Sequence, residues 1–76
     1  MTKMLSEFTV GESGKIIKVF GEGRVRRRLL DMGVTPGASF ILRKKAPLGD
    51  PVEITVRGYE LTLRKSEAAC VEVEVL

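Results

Sequence analysis

Histidine and tryptophan are absent from this 76-residue chain, and cysteine occurs once. Without histidine there is neither the commonest general base nor the imidazole of a Cys/His zinc site, and a lone Cys70 closes no internal disulfide. The expectation is a cytosolic protein without cofactor or structural metal, and no residue is assigned a catalytic, cofactor-binding or metal-ligating role. Aromatics are scarce, with one tyrosine and three phenylalanines, which speaks against a base-stacking platform for nucleic acid. Long apolar runs are missing too. The N-terminal MTKMLSEFTVGES has no unbroken hydrophobic stretch of the signal-peptide kind, and no segment approaches the ~18 apolar residues of a membrane span, so no membrane insertion is expected.

Thirteen Lys and Arg stand against ten Asp and Glu, giving a net charge of +3. That favours an acidic partner but is modest for a nucleic-acid binder, and no nucleic acid is expected as a partner. The charge is uneven: basic runs lie at residues 24–28 and 43–45, whereas Glu72 and Glu74 make the end acidic. A chain this short is a single domain, residues 1–76, with a thin core. Gly11-x-x-Gly14 and Gly21-x-Gly23 look like phosphate loops, but neither has the GxxxxGK[ST] arrangement, and position 26 is Arg where GxGxxG needs glycine. Cys70, at the entrance to an apolar strand, reads as a small buried hydrophobe. Asp31 and Asp50 read as solvated or locally hydrogen-bonded, since nothing in the sequence fixes them as an acid pair.

Residues 23–37, GRVRRRLLDMGVTPG, organise the rest. Val25, Leu29 and Met32 recur at helical spacing and predict a helix of about three turns with that side towards the core. Gly33 then stops the helix, and Pro36 and Gly37 occupy the central positions of a type II turn. No Ser, Thr, Asp or Asn stands at the helix start. Arg24, Arg27 and Arg28 lie off the apolar side and have two readings: a solvated face that keeps the protein soluble, or a docking surface for acidic side chains or phosphates.

Elsewhere, residues 1–14 read as a lead-in that packs one or two apolar side chains, with residues 1–4 frayed. Residues 15–20 read as a strand that is either covered on both sides or bulged, and residues 39–44 as a second strand. The loop at residues 46–51, with Pro47, Gly49 and Pro51, holds Leu48 either exposed or folded over Val52. Residues 52–56 and 59–63 alternate strictly around Arg57-Gly58, the signature of a two-residue hairpin. Residues 65–69 make one turn capped by Ser66, and residues 71–75 alternate as a last strand. The fold expected is mainly β: a small five-stranded SH3-like barrel with one inserted α-helix.

The pattern RLLDMGVTPGASFILRKKAPLGDPVEITVRGYELTLRKSEAACVEV resembles the FeoA family, small cytoplasmic proteins associated with bacterial ferrous-iron uptake. The same module resembles the C-terminal domain of diphtheria-toxin-repressor-class regulators. The resemblance covers residues 5–75, most specifically Arg28-Leu29, the stretch at 32–37, the loop at 46–51, and Leu63-Arg64 with Glu67-Ala68. It implies an SH3-like barrel and a non-enzymatic cytoplasmic protein that docks on the cytosolic region of the GTP-dependent ferrous-iron permease FeoB and is recruited by it to the inner face of the membrane. The alternative is a stand-alone protein- or peptide-binding regulatory module. The docking set expected is Arg24, Arg27, Arg28, Leu48 and Arg64. Gly33, Pro36, Gly37, Pro47, Gly49 and Pro51 are assigned to helix stop and turns. Iron binding by the chain itself is not expected, and exposed strand edges leave a weak homo-oligomer open.

Overall fold

The computed structural model describes residues 1–76. Its strands are β1 (Thr2–Met4), β2 (Ser13–Val19), β3 (Ser39–Lys45), β4 (Val52–Val56), β5 (Tyr59–Leu63) and β6 (Val71–Val75). A 3-10 turn (Leu5–Glu7) follows β1, helix α1 (Gly23–Asp31) lies between β2 and β3, and helix α2 (Lys65–Ala68) lies between β5 and β6. All neighbouring strands are antiparallel, in the order β1-β6-β2-β3-β4-β5.

Three parts of the expected fold are corrected here. The sheet has six strands, and it does not close: β1 and β5 end the ladder without pairing to each other. The sixth strand comes from residues that were expected to fray. Thr2, Lys3 and Met4 pair with Glu74, Val73 and Glu72, so the N-terminus adds an edge to β6. There are also two α-helices in place of one, because the expected turn at 65–69 is a four-residue helix. The architecture is thus mainly β, an open six-stranded antiparallel sheet whose connections cover its core.

That core holds sixteen buried apolar residues. Alternation along β4 puts Val52, Ile54 and Val56 inside, joined by Phe40 and Leu42 of β3, Ile16 and Val19 of β2, and Val71 and Val73 of β6. Leu5 and Phe8 of the lead-in are fully buried, and Phe8 lies against Phe40 with ring centroids 5.2 Å apart. The irregular apolar pattern of β2 is a bulge: its register with β6 shifts between Ile16 and Lys18, which turns Ile17 outward. The hairpin forms as its sequence predicts, with Val56 opposite Tyr59 and Val52 opposite Leu63. Arg57 and Gly58 both have positive φ, at 50° and 85°, as a type I′ turn requires.

Helix α1 buries Leu29 completely and Val25, Leu30 and Met32 partly. It has no side-chain cap at its start, where Glu22 is the N-cap residue. Its end is closed tightly. The Val34 amide donates to Leu29 and the Gly33 amide to Leu30, both at 3.0 Å, with Gly33 at φ 94°. This is the Schellman pattern, completed by burial of both Leu29 and Val34. The hairpin tip then clamps the same end: the Tyr59 hydroxyl donates to the Met32 carbonyl and Arg57 Nε to the Gly33 carbonyl. The turn at 35–38 closes with Ala38 donating to Thr35 at 3.0 Å and Gly37 at φ 93°.

Gly33 therefore meets two demands at once, a left-handed backbone and a hydroxyl packed where a Cβ would stand. Gly33→Ala is expected to lose about 1–2 kcal/mol from the backbone alone, and more from displacing Tyr59. Urea titration of the two proteins, with Tyr59→Phe/Gly33→Ala as the partner variant, separates the two contributions.

Candidate docking surface

Four arginines fall within one turn and a half of α1, and the helix phase gives each a different task. Arg26 donates from Nε to the Val19 carbonyl at 3.3 Å, tying the helix to β2. Arg28 pairs with Glu67 Oε2 at 3.1 Å while its own side chain stays 65% exposed. Arg24 and Arg27 are exposed and make no ion pair or side-chain hydrogen bond. Positions 24, 27 and 28 are three and four apart, so these guanidinium groups are neighbours on the helix surface. The four arginines, with Asp31, border an open, solvent-facing side of α1 and its C-cap on which Leu30 and Met32 are the only apolar lining.

Glu67 is the one charged residue in the buried set. Its Oε1 accepts the Arg64 amide at 2.9 Å, and its Oε2 receives Arg28. Arg64 is the N-cap residue of α2, so the expected cap at Ser66 is corrected: Ser66 lies inside the helix, and Glu67 reaches back to close its start. No buried side-chain polar atom is left without a partner.

Asp50 extends the chain of contacts. Its Oδ1 accepts the Lys65 amide at 3.1 Å and lies 3.8 Å from Arg64. The loop at 46–51 is braced internally, with Gly49 donating to Ala46 at 2.7 Å and Ala46 to Pro51 at 3.1 Å. Beneath it, Lys45 sends Nζ to the Phe8 carbonyl at 2.8 Å. Bracing of this kind leaves Leu48 at the tip, 87% exposed, rather than folded over Val52. Arg28, Glu67, Arg64 and Asp50 thus form a series that joins α1, α2 and the loop. Of the expected docking residues, Arg24, Arg27 and Arg28 share the helix surface, Arg64 lies on the linked α2 start, and Leu48 tips the linked loop.

Three features escape a reading of the sequence. Glu67 carries the signal Arg64-x-x-Glu67 at capping-box spacing, which goes unnoticed without a Ser or Thr at the cap. Ile17 on β2 and Phe20 just past its end are 42% and 40% exposed, with Lys18 Nζ 5.0 Å from the Phe20 ring centroid. Cys70 is only half-buried, and its thiol donates to the Ser66 carbonyl. The His/Cys/Asp/Glu side chains form no group of three that could hold a metal ion, and no helix is long and apolar enough to cross a membrane.

A family model described as the FeoA domain matches residues 3–75. A curated fusion protein of Porphyromonas gingivalis, named Fe(2+) transport protein A/Fe(2+) transporter FeoB, is 39% identical over 72 residues. The match takes in 95% of this chain, which spans only 8% of that relative's length. The solution structure of a FeoA-like protein from Clostridium acetobutylicum superposes with a TM-score of 0.90 at 43% identity, covering 99% of this chain and 87% of that one. A manganese-dependent transcriptional repressor superposes at 0.92 with 13% identity, over 99% of this chain and 37% of that one, a likeness of fold alone.

Because Glu67 acts through both oxygens, its replacements should differ. Glu67→Ala is expected to cost about 1–3 kcal/mol by leaving the Arg64 amide without its acceptor. Glu67→Gln, which keeps an acceptor there, should cost clearly less, and Arg28→Ala about 1 kcal/mol or less because its exposed guanidinium is replaced by water. Equilibrium denaturation of the three variants gives the order.

Proposed function

The chain belongs to the FeoA family, and from that premise we propose that it is a non-enzymatic accessory protein of ferrous-iron uptake that docks on the cytosolic region of the FeoB permease. The observation that carries this reading is the Porphyromonas gingivalis relative, in which a stretch 39% identical to this chain is joined to a FeoB transporter in one polypeptide. Fusion holds two partners at high effective concentration, which supports a separate chain of this family meeting the same partner in trans. The working place is then the cytoplasm, at the inner face of the membrane where the permease presents its soluble part.

Docking falls to residues that the fold does not consume. Arg24 and Arg27 are free on α1, and Leu48 stands out from a braced loop, so little ordering entropy is lost when that loop meets a surface. Arg28 and Arg64 contribute from fixed positions, each already leaning on an acidic side chain. Guanidinium groups with an exposed leucine suit a partner surface that is acidic around an apolar recess. Structural roles go to Gly33, Pro36 and Gly37 at the helix exit and to Pro47, Gly49 and Pro51 in the loop.

Titration of the purified chain into the cytosolic part of the permease tests the reading. Binding is expected to weaken about tenfold or more, roughly 1.4 kcal/mol, in Arg24→Glu/Arg27→Glu and separately in Leu48→Asp, with unchanged melting temperatures. The charge-reversed protein should also lose most of the salt dependence of binding. Undiminished binding and unchanged ferrous-iron uptake in cells carrying either variant would remove that surface from the interface, and no binding by the native chain would overturn the docking itself.

A further inference from the structure

The two ends of the sheet differ in how they are protected. Edge strand β1 has three residues, runs straight into a 3-10 turn, and carries Lys3, which is held by Glu12 at 3.1 Å. Shortness and lysine are both devices that blunt an edge against further pairing. Edge strand β5 has five residues, reads YELTL without proline or lysine, and keeps an uninterrupted register with β4. It is the longer of the two edges and the one without a blunting device.

The hairpin determines which of its backbone groups are free. With a two-residue turn, Val56–Tyr59, Ile54–Leu61 and Val52–Leu63 are the hydrogen-bonded pairs. Tyr59, Leu61 and Leu63 therefore direct their amides and carbonyls to β4, and those of Glu60 and Thr62 point away from the sheet. No loop or helix supplies partners to Glu60 or Thr62. Both side chains lie on the outer face and are exposed.

We propose that β5 pairs with β5 of a second copy of this chain, antiparallel and centred on Leu61, extending the sheet across a two-fold axis. In this register Glu60 faces Thr62 of the other copy twice, and each pair exchanges two backbone hydrogen bonds, so all four free amides and carbonyls of Glu60 and Thr62 on each side of the axis are used. Leu61, half-buried in the single chain, meets its own symmetry mate. Moving the register by two residues fails in both directions. One way sets Glu60 against Glu60. The other brings Glu60 against Arg64, whose amide is already given to Glu67 at 2.9 Å and whose carbonyl already accepts from Glu67 and Ala68. The strand is thus complementary to itself in one register only. A five-residue edge buries far less than the ~800 Å² per partner of a stable interface, so the dimer is a weak one that forms and parts reversibly. The pairing is independent of the permease reading, because it involves this chain alone.

Sedimentation velocity of the purified chain from micromolar to millimolar concentration tests it. A monomer–dimer equilibrium is expected, with amide exchange at Glu60 and Thr62 slowing as the dimer fills. Thr62→Lys should tighten the dimer by roughly two- to thirtyfold by placing a lysine opposite Glu60 twice, and Thr62→Glu should weaken it by a similar factor. Thr62→Pro removes an amide that the hairpin does not use and should abolish dimerisation with the monomer still folded by circular dichroism. The charge variants keep that amide and decide the matter if the proline variant unfolds. A chain that stays monomeric at millimolar concentration, or a dimer indifferent to Thr62→Lys and Thr62→Glu, would overturn the proposal.

Discussion

A buried carboxylate in a small protein is expensive unless its oxygens find protein or water partners, and Glu67 finds them in two different parts of the chain. Its Oε1 closes the start of α2 through the Arg64 amide, and its Oε2 holds Arg28 of α1. Neither contact is strong in isolation, since Arg28 is largely solvated. Their joint effect is positional. A four-residue helix has no independent stability, so α2 exists because its cap and the neighbouring core residues Leu63 and Ala68 fix it in place. With α2 fixed, the Lys65 amide is presented to Asp50, and the loop that carries Leu48 is anchored at its far end. The exposed leucine is thus set relative to the sheet by contacts that run back to one buried acid, and Arg28 of α1 is tied to the same acid.

The parts of this fold legible in the sequence are those that a short window decides. Val52 to Leu63 alternates with period two about Arg57-Gly58, and both strand pattern and turn chemistry point to the same hairpin. In α1, Leu29 and Gly33 carry the helix and its stop, and the Schellman bonds confirm both residues in those places. What was not legible is decided elsewhere in the chain. Three residues at the N-terminus have no period to read, and Thr2–Met4 becomes a strand only because β6 offers an edge. Whether the ladder closes depends on where β1 and β5 end up, which no local pattern encodes. Burial of Glu67 was equally hidden, because a glutamate two residues into a short polar stretch looks like any solvated side chain until α1 brings Arg28 to it.

The candidate site divides along the same line. The sequence marks Arg24, Arg27 and Arg28 as a basic run and leaves open whether they are solvent-facing or engaged. Packing assigns them differently: Arg28 to Glu67, Arg26 to the β2 backbone, and Arg24 and Arg27 to nothing within the chain. For Leu48 the deciding facts are the Gly49-to-Ala46 bond and the lysine stem beneath the loop, which hold the tip away from Val52.

The excess positive charge of the protein is distributed by the same logic. On the sheet, basic and acidic residues face each other across the ladder, with Lys15 opposite Glu74, Lys18 opposite Glu72, and Lys44 opposite Glu53. Cross-strand opposition of this kind neutralises much of the sheet surface. The connections carry no such pairing rule. In α1, four arginines stand beside one acid of the same helix, Asp31, and only Arg28 receives a carboxylate from elsewhere. The net charge of +3 therefore concentrates on an element the sheet does not need for its own pairing. That element lies where the chain leaves β2 and returns to β3, so α1 can meet a partner while the strands that carry the stability stay as they are.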